Sequence, residues 1–394
     1  MFTNIKACYT PSLQRLRTLL LLCFIVGLGS SVQAQPSLPK DDLYKQLFAN
    51  PTGKNGYEDW VRAATLLAQY PDEVQKLGDS HTSLSQIRRI LSSEPMRQVR
   101  GLIRAGLSKP ILSPRDSKTM DLDTTFPEYA SLRGLSRLLW QDIRLSIAEG
   151  RNSEALLTLR EGLWMGKSVQ MDVVIGGLVG IAMETIVLTP FMDDLATFSV
   201  KDSLALEQVV QDWQTLPSPL ESMIDKEEKS MISSLKLFKR QHERLLEMFE
   251  PDQDADTSAN EMHHYFKNNP NAIAPLVDQL LPKIKQSYNE MRQNMRRMPW
   301  ERTFPEQKEA TLVEKLAFVL SPSSEQLLSR FDAEKARLFM ARVRAALRRY
   351  WWENGHYPRT LEVLKPMEII VDPNSGKPFL YTLKGNSYEL RSAK

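Results

Sequence analysis

Cysteine is nearly absent from this sequence of 394 residues, which contains only Cys8 and Cys23. Both precede residue 35, so the rest of the chain can form no disulfide and offers no thiol nucleophile or thiolate metal ligand. The nucleophile elbow, the phosphate-binding loop and the dinucleotide fingerprint are absent as well. These absences exclude thiol chemistry and leave no motif for a nucleotide, and we expect no cofactor.

A surplus of positive charge is also missing once the first residues are set aside. The chain has 51 basic and 48 acidic residues, a net charge of +3. Lys6, Arg15 and Arg17 lie before residue 35 with no acid among them, so the remainder is formally neutral. Because nucleic-acid-binding domains are usually markedly basic, we expect no nucleic-acid partner.

The N-terminus has the layout of an export signal. Its basic residues precede an apolar run at 19–28, which is shorter than the roughly 20 residues that span a bilayer. Val32 and Ala34 fit the third and first positions before a cleavage site, which predicts 1–34 as a signal peptide. Export of a long chain without disulfides is typical of a bacterial periplasm. We therefore predict a periplasmic or secreted bacterial protein; a membrane subunit held by an uncleaved signal is the alternative.

Most of the remaining sequence repeats its apolar residues at helical spacing. Helices are predicted over 57–70, 84–91, 96–107, 221–249 and 275–298. The stretch 109–126 is rich in Pro, Ser, Asp and Thr and predicts a loop. This loop divides an N-terminal helical region, 35–126, from a central helical domain, 127–330.

The clearest helical pair turns at Gly150, with Gly150 predicted to end one helix and Asn152 to cap the next. The amino-acid sequence of 148–156 resembles the turn of a tetratricopeptide-type hairpin. No second copy recurs at a fixed period, as stacked repeats would require. We expect a mainly α fold, a multi-helix array of helical hairpins.

The apolar segment Val173–Met183 carries three glycines and is bracketed by Asp172 and Glu184. It is too short to span a membrane, so we predict a buried helix whose glycines allow a neighbour to approach closely. Glu184 is a weak candidate for a catalytic acid, because burial raises a carboxyl pKa. The alternative is a core carboxylate that accepts a hydrogen bond from an Arg or a Trp.

After a last helix predicted over 331–352, the apolar period changes from helical to alternating. Gly385-Asn386 is a two-residue hairpin signal. A hairpin that pairs Leu383 with Tyr388 also pairs Tyr381 with Leu390 and places all four on one face. The segment 331–394 is therefore predicted to be a small α+β tail.

The same tail resembles the globular domain of type II secretion major pseudopilins. The shared pieces are a long helix, YWWENGHYP at 350–358, DPNSGKP at 372–378 and YELRS at 388–392. The resemblance implies a role in secretion or envelope assembly. The helix follows no membrane-spanning pilin half, so polymerisation is not implied. The family's calcium loop has no counterpart, so no metal site is carried over. The helical part is similar to bacterial exported proteins that join helical hairpins to such a tail, which implies no activity.

Two further clusters are candidate sites. Weak metal candidates are the acids Asp252, Asp254, Asp256 and Glu261, although Ala255 stands where a calcium loop needs Gly and an acidic linker is the alternative. The aromatic residues Tyr350, Trp351, Trp352 and Tyr357 are candidates to anchor a partner. The alternative is that they pack the last helix against the small sheet.

These observations favour a non-catalytic, exported scaffold or binding protein of the bacterial envelope. Its expected partner is another envelope protein, with membrane contact only if the signal stays uncleaved. The enzyme alternative is a periplasmic hydrolase in which Glu184 and a second acid, such as Asp142 or Glu227, line a cleft between helices.

Overall fold

The computed structural model describes residues 42–48, 50–117, 119–121, 124–193, 195–241, 266–304, 311–364 and 367–393, with single positions at 243, 246 and 264. The predicted signal peptide lies outside them, and so do the metal candidates Asp252, Asp254, Asp256 and Glu261.

The chain is mainly α-helical and ends in a two-stranded antiparallel sheet, as the sequence predicted. The helices are α1 Asp42–Leu47, α2 Gly56–Leu67, α3 Pro71–Gly78, α4 Leu84–Leu91, α5 Glu94–Leu107, α6 Glu128–Ala148, α7 Asn152–Val169, α8 Val174–Met192, α9 Val200–Thr215, α10 Leu220–Arg240, α11 Ile273–Met295, α12 Leu312–Leu320 and α13 Ser324–Asn354. The strands are β1 Leu380–Lys384 and β2 Ser387–Arg391.

The predicted hairpin at Gly150 joins α6 to α7. Gly150 follows the C-cap Glu149 with a φ of 72°, a left-handed conformation that glycine adopts without a steric penalty. The expected N-cap is wrong by one position, because Arg151 occupies the N-cap position, without a side-chain capping bond, and Asn152 is the first residue of α7. The Asn152 side chain instead donates to the Thr197 carbonyl at 2.9 Å and so ties the hairpin to the α8–α9 loop.

Helix α8 begins at Val174, contains the rest of the apolar segment and continues through Glu184 to Met192. Its glycines do permit a close approach: a Cβ at Gly166 of α7 would lie 2.9 Å from the Gly180 carbonyl oxygen. Within the described residues α8 is the one helix long and apolar enough to cross a membrane. It packs against α6, α7 and α13. The larger part of its apolar segment is buried inside the protein, as is usual for a core helix.

Helix α13 connects three hydrophobic clusters that the described residues form. Its Leu327 joins α10, α11 and α12 in one cluster, and its Leu338 joins the large cluster formed by α2 to α9. Its Leu347 joins the tail. The helix begins at Ser324, so the expected boundary at 330 falls inside it. The large cluster contains residues from both 35–126 and 127–330, so packing does not separate these two regions.

The predicted hairpin register is confirmed, because Tyr381 pairs with Leu390 and Leu383 with Tyr388 across Gly385-Asn386. Before β1, Asp372 closes a turn and is fully buried. Its carboxylate accepts hydrogen bonds from the Ser392 hydroxyl at 2.6 Å and from the Ala393 N–H at 2.8 Å. The end of the described chain is thereby fixed to the turn that precedes the sheet.

Candidate functional site

Glu184 lies where α7, α8, α9 and α13 meet, and none of its surface is exposed. Trp213 of α9 donates its indole N–H to Glu184 Oε1 at 3.0 Å. The ammonium of Lys167 on α7 lies 3.9 Å from the centroid of the Trp213 ring. Glu184 is thus a core carboxyl group that accepts a hydrogen bond from a Trp side chain.

A second acid, Glu334 of α13, faces the same junction and is also buried. The Thr185 hydroxyl donates to Glu334 Oε2 at 2.8 Å, and Arg337 donates to Thr185 Oγ1 at 2.9 Å. Arg337 itself lies 3.5 Å from Glu334. Glu334 is thus held by a threonine and by a cation at the edge of the junction.

Three polar atoms at this junction have no hydrogen-bond partner among the described residues. They are Glu184 Oε2, Gln170 Nε2 and Glu334 Oε1; the Gln170 amide lies close enough to Glu184 to lower its pKa, but not in hydrogen-bonding geometry. A buried carboxylate oxygen without a donor is costly when ionised and much less so when protonated. The geometry therefore favours a protonated carboxyl group.

The pKa values agree with this geometry. Burial raises the pKa of Glu184 to about 8, the charge of Glu334 raises it further, and Lys167 opposes both effects. Burial likewise raises the pKa of Glu334 to about 7, against its hydrogen bond from Thr185 and the charge of Arg337. The pKa of Lys167 is lowered by burial and raised by Glu184. At neutral pH the junction therefore retains a proton on Glu184.

The acids expected beside Glu184 lie elsewhere. Asp142 pairs with Arg100 and accepts a hydrogen bond from Thr158 Oγ1 at 3.1 Å. Glu227 accepts from the Val174 N–H at 3.0 Å, at the N-terminal end of α8 and away from Glu184 in the middle of the helix. Neither residue forms a cleft with Glu184. Sequence reasoning missed Glu334 and Lys167, because residues on three separate helices share no spacing that identifies them.

The four aromatic candidates separate into two pairs. Trp352 faces the α8–α9 loop, where its indole N–H donates to the Phe198 carbonyl at 2.6 Å, and the Trp351 ring meets the Trp352 ring at a centroid distance of 5.7 Å. The Arg348 guanidinium lies over both indoles, 4.4 Å and 5.2 Å from their ring centroids. Trp352 keeps 49% of its surface exposed and is the most accessible of the four.

Tyr350 and Tyr357 belong to the tail core. The Tyr357 ring meets Tyr388 at a centroid distance of 4.8 Å, and the Tyr381 hydroxyl donates to the Pro358 carbonyl at 2.7 Å. These two tyrosines help to pack α13 against the sheet, as the alternative interpretation expected.

The tail presents an exposed apolar face on the other side of its sheet. Val371 forms a bridge with Pro378, and Leu380, two residues further along the chain, begins β1 on the same face. The Trp300 indole lies against Gly376, where an added Cβ would come within 2.7 Å of the ring. We call Trp300, Val371, Pro378 and Leu380 the outer tail surface; all four are exposed except for the part of Trp300 at this contact.

Within the described ranges no group of three or more His, Cys, Asp or Glu side chains could hold a metal ion. Comparisons of the chain with protein-family models, with curated proteins and with solved structures found no match.

Proposed function

We propose that this chain is an exported helical scaffold of the bacterial envelope that binds a protein partner through its C-terminal tail. The observation that carries the proposal is the outer tail surface. Leu380 of the tail and Trp300, which packs against the tail at Gly376, expose 56% and 51% of their surfaces, although the tail has a core of its own. Exposed apolar side chains grouped on a rigid element are typical of a protein-binding site.

The surroundings of this surface also suit protein binding. On the same face of the sheet, Lys384 pairs with Glu389 at 2.7 Å, and Arg391 pairs with the same carboxylate. An apolar centre with a charged rim is the usual anatomy of a protein interface. The partner is expected to present an apolar centre of its own, with charges that complement the Lys384, Glu389 and Arg391 group.

Site-specific photo-crosslinking in the native host tests the proposal. A crosslinkable residue replaces Leu380 in one variant and, as a matched control, Leu157 of α7, which is 50% exposed, in another. We expect a defined envelope protein to crosslink from position 380 and not from 157. The adduct should weaken when Val371→Lys or Trp300→Ala is added. The proposal fails if both positions give the same adducts, or if neither added substitution changes them.

Truncating the tail is a poor version of this test. Removing everything after residue 330 deletes Leu338, Ala341 and Ala345, which are buried in the large cluster with α2 to α9. Loss of a partner would then report unfolding of the scaffold. Point substitutions on the outer tail surface leave that core intact.

A periplasmic hydrolase is the second candidate. The observation that favours it is the pKa of about 8 at Glu184, which suits a general acid at neutral pH. Complete burial of the same carboxyl group, bonded to Trp213, favours the scaffold. Esters, amides and glycosides tested with wild type and Glu184→Gln decide between them: turnover that the substitution abolishes supports the hydrolase.

A further inference from the structure

A stripe of arginines runs along α6, far from the outer tail surface in sequence. Arg133, Arg137, Trp140 and Arg144 follow each other at spacings of four, three and four residues, so they share one face of the helix. All four side chains are half-buried. The stripe thus combines three positive charges with an indole at the protein surface.

The acids of α6 are already paired with arginines from other elements. Glu128 binds Arg115, with a distance of 2.8 Å between Nη2 and Oε2, and Asp142 pairs with Arg100. The C-cap Glu149 binds Arg88, with a distance of 2.7 Å between Nε and Oε1. None of these carboxylates faces the stripe as a counter-ion.

Arg133 and Arg137 have no hydrogen bond and no ion pair with any part of the chain that the structure describes. Arg144 differs, because it donates to Gln141 Oε1 at 2.8 Å and stacks over Trp140 at 5.1 Å. The Arg133 Nε is shut off from solvent and still lacks an acceptor. Two like charges one turn apart with an orphaned buried donor constitute an unsatisfied site for an anion.

The neighbours of Arg133 and Arg137 affect the position and the charge of these two side chains. A Cβ added at Gly78 would lie 3.8 Å from both Cδ and Nη1 of Arg137, so the end of α3 flanks the guanidinium. Burial lowers the pKa of Arg133, and the charge of Arg137 lowers it further. Arginine stays protonated in proteins, so both groups are cationic at neutral pH. An anion placed between them relieves the repulsion.

We propose that Arg133 and Arg137 form a binding site for a phosphoryl group. A planar carboxylate is matched by a single guanidinium fork, whereas a tetrahedral phosphoryl group carries enough oxygens to accept from two forks. Trp140 lies next along the stripe, where it can cover an apolar or sugar-like part attached to the phosphate. The site is independent of the tail and of the proposed partner.

A phosphoryl group at this site can belong to a free phosphate compound or to a phospholipid headgroup, and the experiment separates the two sources. The chain purified after export is titrated with inorganic phosphate by calorimetry in a phosphate-free buffer of low ionic strength. In parallel it is mixed with vesicles of phosphatidylglycerol, and with vesicles of phosphatidylcholine as the uncharged control. We expect saturable binding in at least one of the two anionic arms.

Three substitutions decide whether the stripe is responsible. Arg133→Gln and Arg137→Gln should each weaken binding at least tenfold. Arg330→Gln, which removes the same charge from an exposed position on α13, should leave it unchanged. Arg133→Lys, which keeps the charge and loses the fork, should give an intermediate affinity.

Binding to phosphate with this pattern supports the site with a free phosphate compound as ligand. Binding to phosphatidylglycerol vesicles alone, with the same pattern, supports it with a headgroup as ligand. No saturable binding in either arm overturns the proposal, and so does equal weakening by Arg330→Gln.

Thermal unfolding of each variant establishes that it folds. If the Gln variants unfold, a rise in wild-type Tm with phosphate, compared with chloride at equal ionic strength, supports the site; no rise overturns it.

Discussion

The indole N–H of Trp213 donates to Oε1 of Glu184 at 3.0 Å, which joins α9 to α8 through a partly buried hydrogen bond. The same carboxyl group lies beside Glu334 of α13 and Lys167 of α7. Side chains of four helices, α7, α8, α9 and α13, therefore meet at one buried carboxyl group.

Rising pH should weaken this junction. The folded-state pKa of Glu184, about 8, exceeds its ordinary value of 4.5, so the folded state holds more protons than the unfolded chain between these values. Stability contributed by this group is complete below pH 4.5 and is lost as pH rises towards 8. Glu334, with a pKa of about 7, acts in the same direction.

Glu184→Gln keeps an acceptor for Trp213 and cannot ionise. The variant should gain stability relative to wild type as pH rises from 5 to 8, by on the order of a few kcal/mol. Urea unfolding at several pH values measures the difference. Glu325→Gln, at an exposed position, is the control and should show a constant difference. A Glu184→Gln difference that does not change with pH would show that the group is ionised throughout.

The close contact between α7 and α8 predicts that a larger residue at Gly166 destabilises the protein. A Cβ at Gly166 would lie 2.5 Å from Glu184 Cγ and 2.9 Å from the Gly180 carbonyl oxygen, so Gly166→Ala must separate the helices. We expect a loss of about 1–3 kcal/mol in the free energy of unfolding. Gly101→Ala in α5 meets nothing within 4 Å and should stabilise by up to about 1 kcal/mol. Equal effects of the two substitutions would contradict the close approach.

Asp372 should control the order of the tail. Asp372→Ala removes the acceptor of Ser392 Oγ and of the Ala393 N–H, each worth about 1.5–3 kcal/mol as a bond to a charged group. Hydrogen exchange should accelerate at 387–393 and remain unchanged in α6 and α7. The exposed Asp79, which accepts from the His81 N–H at 2.8 Å, offers a matched control, because Asp79→Ala should have little effect on the tail. Unchanged exchange in Asp372→Ala would show that packing alone holds the chain end.

The predicted export signal can be tested on protein from the native host. We expect mature protein that begins at Gln35 and is recovered in the periplasmic or secreted fraction, because Val32 and Ala34 fit a cleavage site. Protein that retains the first residues and sediments with membranes would support the signal-anchored subunit instead. N-terminal sequencing after fractionation distinguishes the two outcomes.

The elements that the sequence predicted best are those with a local cause. Helix α4 spans Leu84–Leu91 as expected, with Ser83 and Gln86 forming a capping box. The hairpin at Gly385-Asn386 has the predicted register, because a two-residue turn and alternating side chains allow few alternatives. The length of α8 was less evident, because the apolar run stops at Met183 while the helix continues through the buried Glu184 to Met192.

The sequence by itself determined the helical class, the turn at Gly150, the buried glycine-rich helix and the tail hairpin, because each depends on spacing within a short segment. Only the tertiary structure decided that Glu184 meets Trp213, Glu334 and Lys167, since these contacts join four helices. The arginine stripe lies on one helix and follows from spacing, but its lack of a counter-ion was decided by the tertiary structure. Arg133 and Arg137 become a site only because the acids of α6 pair with arginines from other elements, which no local pattern reveals.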